Sequence, residues 1–213
     1  MLGRCGNVIT IATVLRSGGE YRPEHVRAVS DMCARFAPAH RFVVLTDTCF
    51  AFAEDDGMDI EARPLRRDWP GWWAKMELFE LPGPVLYFDL DTVICRDITP
   101  LIELVRHDAF VILRDFYRGR SNRNAMQSSM MWWDGDLSRL TAKFEAEPRF
   151  YLGGDQEWLE QHYTGEFAFW QDVAPRAIGS FKASPRTKNE RVIIFHGQPR
   201  PWQQTEVPYH AAA

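Results

Sequence analysis

Val85–Ile94 reads VLYFDLDTVI, an apolar run that carries two aspartates, Asp89 and Asp91, one residue apart. Such a run, entered directly from the turn residues of PGP, is a buried strand. Carboxylates at its end lose hydration unless something positive compensates them. Residues i and i+2 of a strand point to the same face, so the pair is expected to converge on one point. A proton, or a hard cation with oxygen ligands such as Mg²⁺ or Mn²⁺, would balance it there. The chain supplies its own comparison in WDGD, which spaces Asp134 and Asp136 in the same way. That pair follows the apolar run SSMMWW through a glycine, and is expected to make a turn and cap a helix beginning near Leu137.

Working outward, apolar runs alternate with helical periodicity. Asn7–Leu15 (NVITIATVL) reads as a buried strand, and PEHVRAVSDMCARF has Val26, Val29, Met32, Cys33 and Phe36 at helical spacing with Pro23 at a helix start. RFVVLTD is a second strand, MDIEARPL a weaker third, and WWAKMELFEL a short amphipathic helix leading into the aspartate strand. After it come strands in AFVILRD and SSMMWW, helices in LSRLTAKFEA and DQEWLEQHY, and a last strand in RVIIF that ends at His196. This alternation predicts an α/β domain with a mostly parallel sheet flanked by helices. Ligands bind such sheets at the carboxyl ends of the strands, where Asp47, Asp89, Asp91 and His196 all fall. With no internal repeat or linker, one domain over residues 1–213 is expected.

Composition sets the limits. At 46% apolar and 25% charged residues the chain has the make-up of a globular protein. No apolar run approaches the ~20 residues of a membrane span, and MLGRCGNVITIATVL lacks a signal peptide's layout. Cys5, Cys33, Cys49 and Cys95 form no CxxC pair, which favours reduced thiols in a cytoplasmic protein over a zinc site. A net charge of −4 gives no reason to expect nucleic acid. The basic runs RPLRR and YRGRSNR suit a small anionic ligand or a solvated face. The eight tryptophans are either core or platforms for flat ligands such as bases and sugar rings.

Two enzyme classes write nearly the Val85–Ile94 string. Asp89, Asp91 and Thr92–Val93 fit the opening motif of haloacid-dehalogenase-like phosphatases, whose first aspartate is a nucleophile. In GDQEWLE, however, Leu159 stands where that family has a second acid, and a full strand–helix–strand unit precedes the motif. The longer resemblance is to the glycogenin-like retaining nucleotide-sugar glycosyltransferases, which include bacterial lipopolysaccharide galactosyl- and glucosyltransferases. TIATVLRSGGEY resembles the family's first strand and nucleotide-binding loop, AKMELFEL its lysine-bearing helix, and YFDLDTVI its FLDADTLV. MQSSMMWW is similar to its FNSGVFVY, GGDQEWL to its xxDQ element, and FHGQPRPW to its terminal H-x-x-G-x-x-K-P-W. The departures are Gln127 for Asn, Ser129 for Gly, Arg200 for Lys, and a shorter step from His196 to Arg200.

The resemblance implies a single Rossmann-like domain of GT-A type, with its nucleotide-binding part at about 1–95 and its acceptor and sugar part at about 96–213. It implies a metal-dependent, retaining hexosyltransferase that uses a UDP-sugar, with Mn²⁺ or Mg²⁺ held by Asp89, Asp91 and His196. Donor contacts would come from Thr13, Tyr21, Lys75, Asp89, Gln127 and Ser128, and from Lys182, Gly197 and Arg200 near the end of the chain. Tyr21 is a candidate for stacking on the nucleobase, with Asp47 near it. Asp155 and Gln156 match the residues beside the reacting sugar, where a carboxylate or amide helps an oxocarbenium-like transition state. The acceptor would be a glycan, a lipid-linked sugar or a protein, and the location cytoplasmic or peripheral at the inner face of the membrane. A phosphatase and a non-catalytic nucleotide-sugar or carbohydrate binder remain the alternatives.

Overall fold

A computed structural model describes residues 8–52, 58–105, 109–184 and 189–209. Cys5, and Asn7 at the start of the expected first strand, lie outside them. The chain opens with β1 (Ile9–Leu15), α1 (Pro23–Phe36), β2 (His40–Thr46) and β3 (Ile60–Pro64). Pro23 sits in the first turn of α1, where its missing N–H costs nothing. β4 (Val85–Phe88) and β5 (Thr92–Ile94) follow, then α2 (Thr99–Val105), β6 (Phe110–Arg114) and β7 (Met126–Trp133). The last elements are α3 (Ser138–Ala146), α4 (Asp155–His162), β8 (Ala168–Phe169), α5 (Trp170–Val173), β9 (Ile178–Ser180) and β10 (Val192–Ile194).

Seven strands form the main sheet in the order β3-β2-β1-β4-β7-β6-β8. β3, β2, β1 and β4 run parallel, as do β6 and β8, while β7 is antiparallel to both its neighbours. All eight residues of β7 are buried, as a strand covered on both faces should be. Period-two alternation divides the core into two clusters, one on each face. In β4, Leu86 and Phe88 join Ile11, Val44 and Trp132 on one face, and Val85 and Tyr87 join Ala12, Val43 and Trp133 on the other.

Two expectations change in ways that matter to the site. VLYFDLDTVI is two strands, not one. β4 stops at Phe88, the Thr92 N–H bonds back to the Asp89 carbonyl at 3.0 Å, and β5 then pairs with β10 in a second, three-stranded sheet completed by β9. The second change is that Gly71–Glu80, expected to be amphipathic, is 3-10 helical and buried continuously from Trp73 to Phe79. It packs under α3 and α4 against the sheet, so it presents no polar face to water. By contrast WDGD behaves as expected: Asp136 accepts the Ser138 N–H at 2.9 Å at the start of α3.

Candidate active site

Asp89 continues the Val85–Tyr87 face of β4, and on that face it meets Lys75 from the buried 3-10 segment. The Lys75 ammonium lies 3.1 Å from Asp89 Oδ1 and 3.5 Å from Asp155 Oδ1, and donates to Ser128 Oγ at 3.0 Å. Tyr87 donates its hydroxyl to Asp89 from two residues back along the strand. Burial works against the charged ammonium, but Asp155 and Asp89 more than offset it and hold Lys75 above its ordinary value. Burial raises the Asp155 carboxyl, and Lys75 opposes that rise. Four elements thus deliver Lys75, Asp89, Ser128 and Asp155 to one buried point, all at positions expected from the sequence. Tyr87 was missed, although its i−2 spacing from Asp89 was there to be used.

Asp91 lies past the turn, close enough to Asp89 for the two charges to act on each other, and meets different partners. Its Oδ2 accepts the Tyr21 hydroxyl at 2.9 Å and an ion-paired N–H from Arg200, whose second nitrogen reaches Glu20. The Arg200 guanidinium also sits over the Tyr21 ring, 5.2 Å from its centroid. Burial pushes the Asp91 carboxyl up to about 7, with the Asp89 charge adding to the rise and Arg200 opposing it. The segment carrying Arg200 is braced on α1, where Trp202 stacks on His25 at 4.0 Å and meets Tyr21 edge-on. Tyr209 then donates to the Leu90 carbonyl at 2.9 Å. Tyr21 is therefore fastened by its hydroxyl to the aspartate turn.

His196 stands apart from both aspartates. Ser180 Oγ accepts the N–H groups of Ala183 (2.9 Å) and Lys182 (3.3 Å), so its own proton goes to His196 Nε2, 2.7 Å away. The ring lies between Phe116 and Tyr117, and burial lowers its pKa from the ordinary value. Among the described residues no three His, Cys, Asp or Glu side chains are grouped so as to hold a metal ion. The expected ligand set of Asp89, Asp91 and His196 is not assembled: Lys75 and Arg200 pair with the two carboxylates, and Ser180 bonds the imidazole. As arranged, the donor set does not fit a divalent ion. The positive charges facing the two aspartates are Lys75 and Arg200.

The remaining expected residues are distributed as follows. Lys182 donates to the Gln198 carbonyl and braces the loop in which Gly197 has φ +65°. Gln156 is half-buried in the first turn of α4, and Asp47 accepts both the backbone N–H and the hydroxyl of Ser17. Gln127 donates to Ser129 Oγ. Among the described residues, six buried side-chain polar atoms lack a hydrogen-bond partner. Four of them are Thr13 Oγ1, Gln127 Oε1, Asp155 Oδ2 and Arg200 Nε, all on residues expected to face the donor or the reacting sugar. Buried groups of this kind are costly unless something binds them.

No protein-family model matches the chain, and no curated protein matches it by sequence. Among solved structures it is similar to the apo form of the glycosyltransferase GlyE in Streptococcus pneumoniae TIGR4, with a TM-score of 0.67 and 14% identity. A second GlyE structure matches with a TM-score of 0.64, also at 14% identity; each GlyE match covers 94% of this chain and 57% of that one. The apo structure of the bifunctional glycosyltransferase WbbM matches with a TM-score of 0.60 and 9% identity, over 92% of this chain and 47% of that one. The chain spans about half the length of these structures. At such identities the shared property is the fold: a mostly parallel mixed sheet flanked by helices, of the GT-A-like kind on which these glycosyltransferases are built.

Proposed function

We propose that the chain is a nucleotide-sugar glycosyltransferase that moves a hexose from a UDP-sugar to a glycan, lipid-linked or protein acceptor with retention at the anomeric carbon. The observation that carries this reading is the buried cluster at the strand ends, where Lys75 joins Asp89, Ser128 and Asp155 beside polar atoms that have no partner within the protein. Breaking the bond from sugar to diphosphate places growing negative charge on the leaving phosphate, and preorganised cations stabilise that charge most in a water-poor site. Lys75 and Arg200 supply such cations from this chain, with a guanidinium suited to two phosphate oxygens at once. Asp155, buried next to Lys75, offers a carboxylate to the positive charge that develops on the sugar. No step is assigned to a metal ion, because the donor set does not fit one.

The test is release of UDP from UDP-glucose and UDP-galactose, with and without EDTA, by wild type, Asp155→Asn and Lys75→Met. Turnover by wild type that falls at least about a hundredfold in both variants is expected. Binding of the donor without any turnover would replace the transferase with a binder. Hydrolysis of simple phosphate esters, unaffected by UDP-sugars, would replace it with a phosphatase.

A further inference from the structure

Six of the eight tryptophans are core residues, and Trp202 is half-buried against α1; Trp72 alone is exposed, at 57%. Two independent features of its position tie it to the Lys75 cluster. First, in a 3-10 helix residues three apart eclipse one another, about 6 Å along the axis. Trp72 is therefore aligned with Lys75, one turn further out. Second, the indole edge rests on Gly154, immediately before Asp155. A β-carbon built on Gly154 would lie 2.9 Å from Trp72 Nε1 and 3.2 Å from its Cδ1, and Gly154 has φ +79°. The indole thus closes against the first turn of α4 and leaves the rest of its surface to solvent. The segment leading into Gly154 adds two more exposed apolar side chains, Phe150 at 53% and Leu152 at 103%. Trp73, by contrast, is buried by stacking on Phe144 at 5.2 Å. Placing one large apolar ring in water beside a buried charged cluster costs solvation energy that the adjacent Trp73 avoids.

We propose that the exposed face of Trp72 is a stacking platform for a pyranose ring at the mouth of the site. The apolar C–H face of a hexose matches the indole surface, while the sugar hydroxyls remain free for water or for polar groups. The ring belongs either to the donor hexose or to the acceptor glycan; the chemistry is the same. The proposal rests on the transferase reading, because that reading brings two sugars to Asp155.

The experiment uses Trp72→Ala and Trp72→Phe, which remove or shrink a largely exposed side chain without opening the core. Tryptophan fluorescence is titrated with methyl β-D-glucoside, methyl β-D-galactoside and methyl α-D-mannoside, and the KM for UDP-glucose and UDP-galactose is measured by UDP release. A wild-type emission change on adding a glycoside, lost or weakened about tenfold in Trp72→Ala and partly kept in Trp72→Phe, places the acceptor sugar on the indole. A donor KM raised about tenfold in Trp72→Ala, with glycoside binding unchanged, places the donor hexose there. Wild-type values for both quantities in Trp72→Ala overturn the platform. So does a wild-type protein that responds to none of the glycosides while Trp72→Ala keeps its donor KM. If wild type releases no UDP, the transferase reading fails by itself, and the fluorescence titration alone decides the platform.

Discussion

Replacing Lys75 by methionine keeps the side chain's length and apolar stem and removes only the ammonium. In the native protein that ammonium is 3.1 Å from Asp89, 3.5 Å from Asp155 and 3.0 Å from Ser128 Oγ. At an effective dielectric constant near 20, a unit-charge pair at this separation is worth about 5 kcal/mol, before the several kcal/mol spent on desolvating each ion. Removing one partner of a buried pair typically destabilises by about 3–5 kcal/mol, because the other charge is left uncompensated. The variant is therefore expected to lose about 3–5 kcal/mol at pH 7.5 in urea denaturation, a large share of the stability of an ordinary domain. The loss should shrink at pH 5. Burial already raises the Asp155 carboxyl and Lys75 opposes that rise. Without Lys75 the folded variant binds a proton there that the unfolded chain does not, so its stability falls as pH rises. In an Asp155→Asn background the cost of Lys75→Met should drop by about 1–3 kcal/mol, the coupling expected of a contacting pair. A cost below about 1 kcal/mol at pH 7.5, or one that is the same at both pH values and in both backgrounds, would refute the reasoning.

Arg200→Gln removes the cation from Asp91. It is expected to lower the melting temperature, and added Mn²⁺ should raise that of the variant more than that of wild type, since two neighbouring carboxylates then lack a guanidinium. Equal Mn²⁺ shifts in thermal denaturation would count against this. His25 accepts the Arg22 N–H on Nδ1 at 2.9 Å, and burial holds its imidazole below the ordinary value of about 6.5. The unfolded chain thus binds more protons between that lowered value and about 6.5, so native stability falls as pH drops through this window. His25→Phe should flatten the decline in urea midpoint between pH 7.5 and 5.5; parallel profiles would show that His25 does not titrate in this way. Gly83→Ala puts a β-carbon 2.5 Å from the Gly135 nitrogen and 2.8 Å from the Trp133 carbonyl oxygen. Neither backbone atom can retreat cheaply, and a loss of about 1–3 kcal/mol by denaturant titration is expected.

How far the sequence reaches into this site depends on whether a contact is local or long-range. Hydrophobic periodicity located β1, α1, β2, β4 and the α3 and α4 helices, because each element announces itself within its own few residues. It did not show that β5 leaves the main sheet. The side chains of VLYF and TVI are equally apolar, and the break comes from the Asp89–Thr92 turn between them. Assuming one continuous strand made the two carboxylates converge, and the family resemblance added His196 as a third ligand. Once the turn is in place, Asp89 keeps the β4 face and finds Lys75, while Asp91 finds Tyr21 and, 109 residues along the chain, Arg200. No spacing rule encodes that last pairing, since it depends on how the final segment packs Trp202 on α1. The same reason left Trp72 unassigned: the tryptophans read as core or as platforms, and only the fold shows Trp73 buried on Phe144 while Trp72 stays exposed. What was legible were the charged residues themselves, because a carboxylate or an ammonium at a strand end needs a partner. Which carboxylate answers to which cation had to come from the fold.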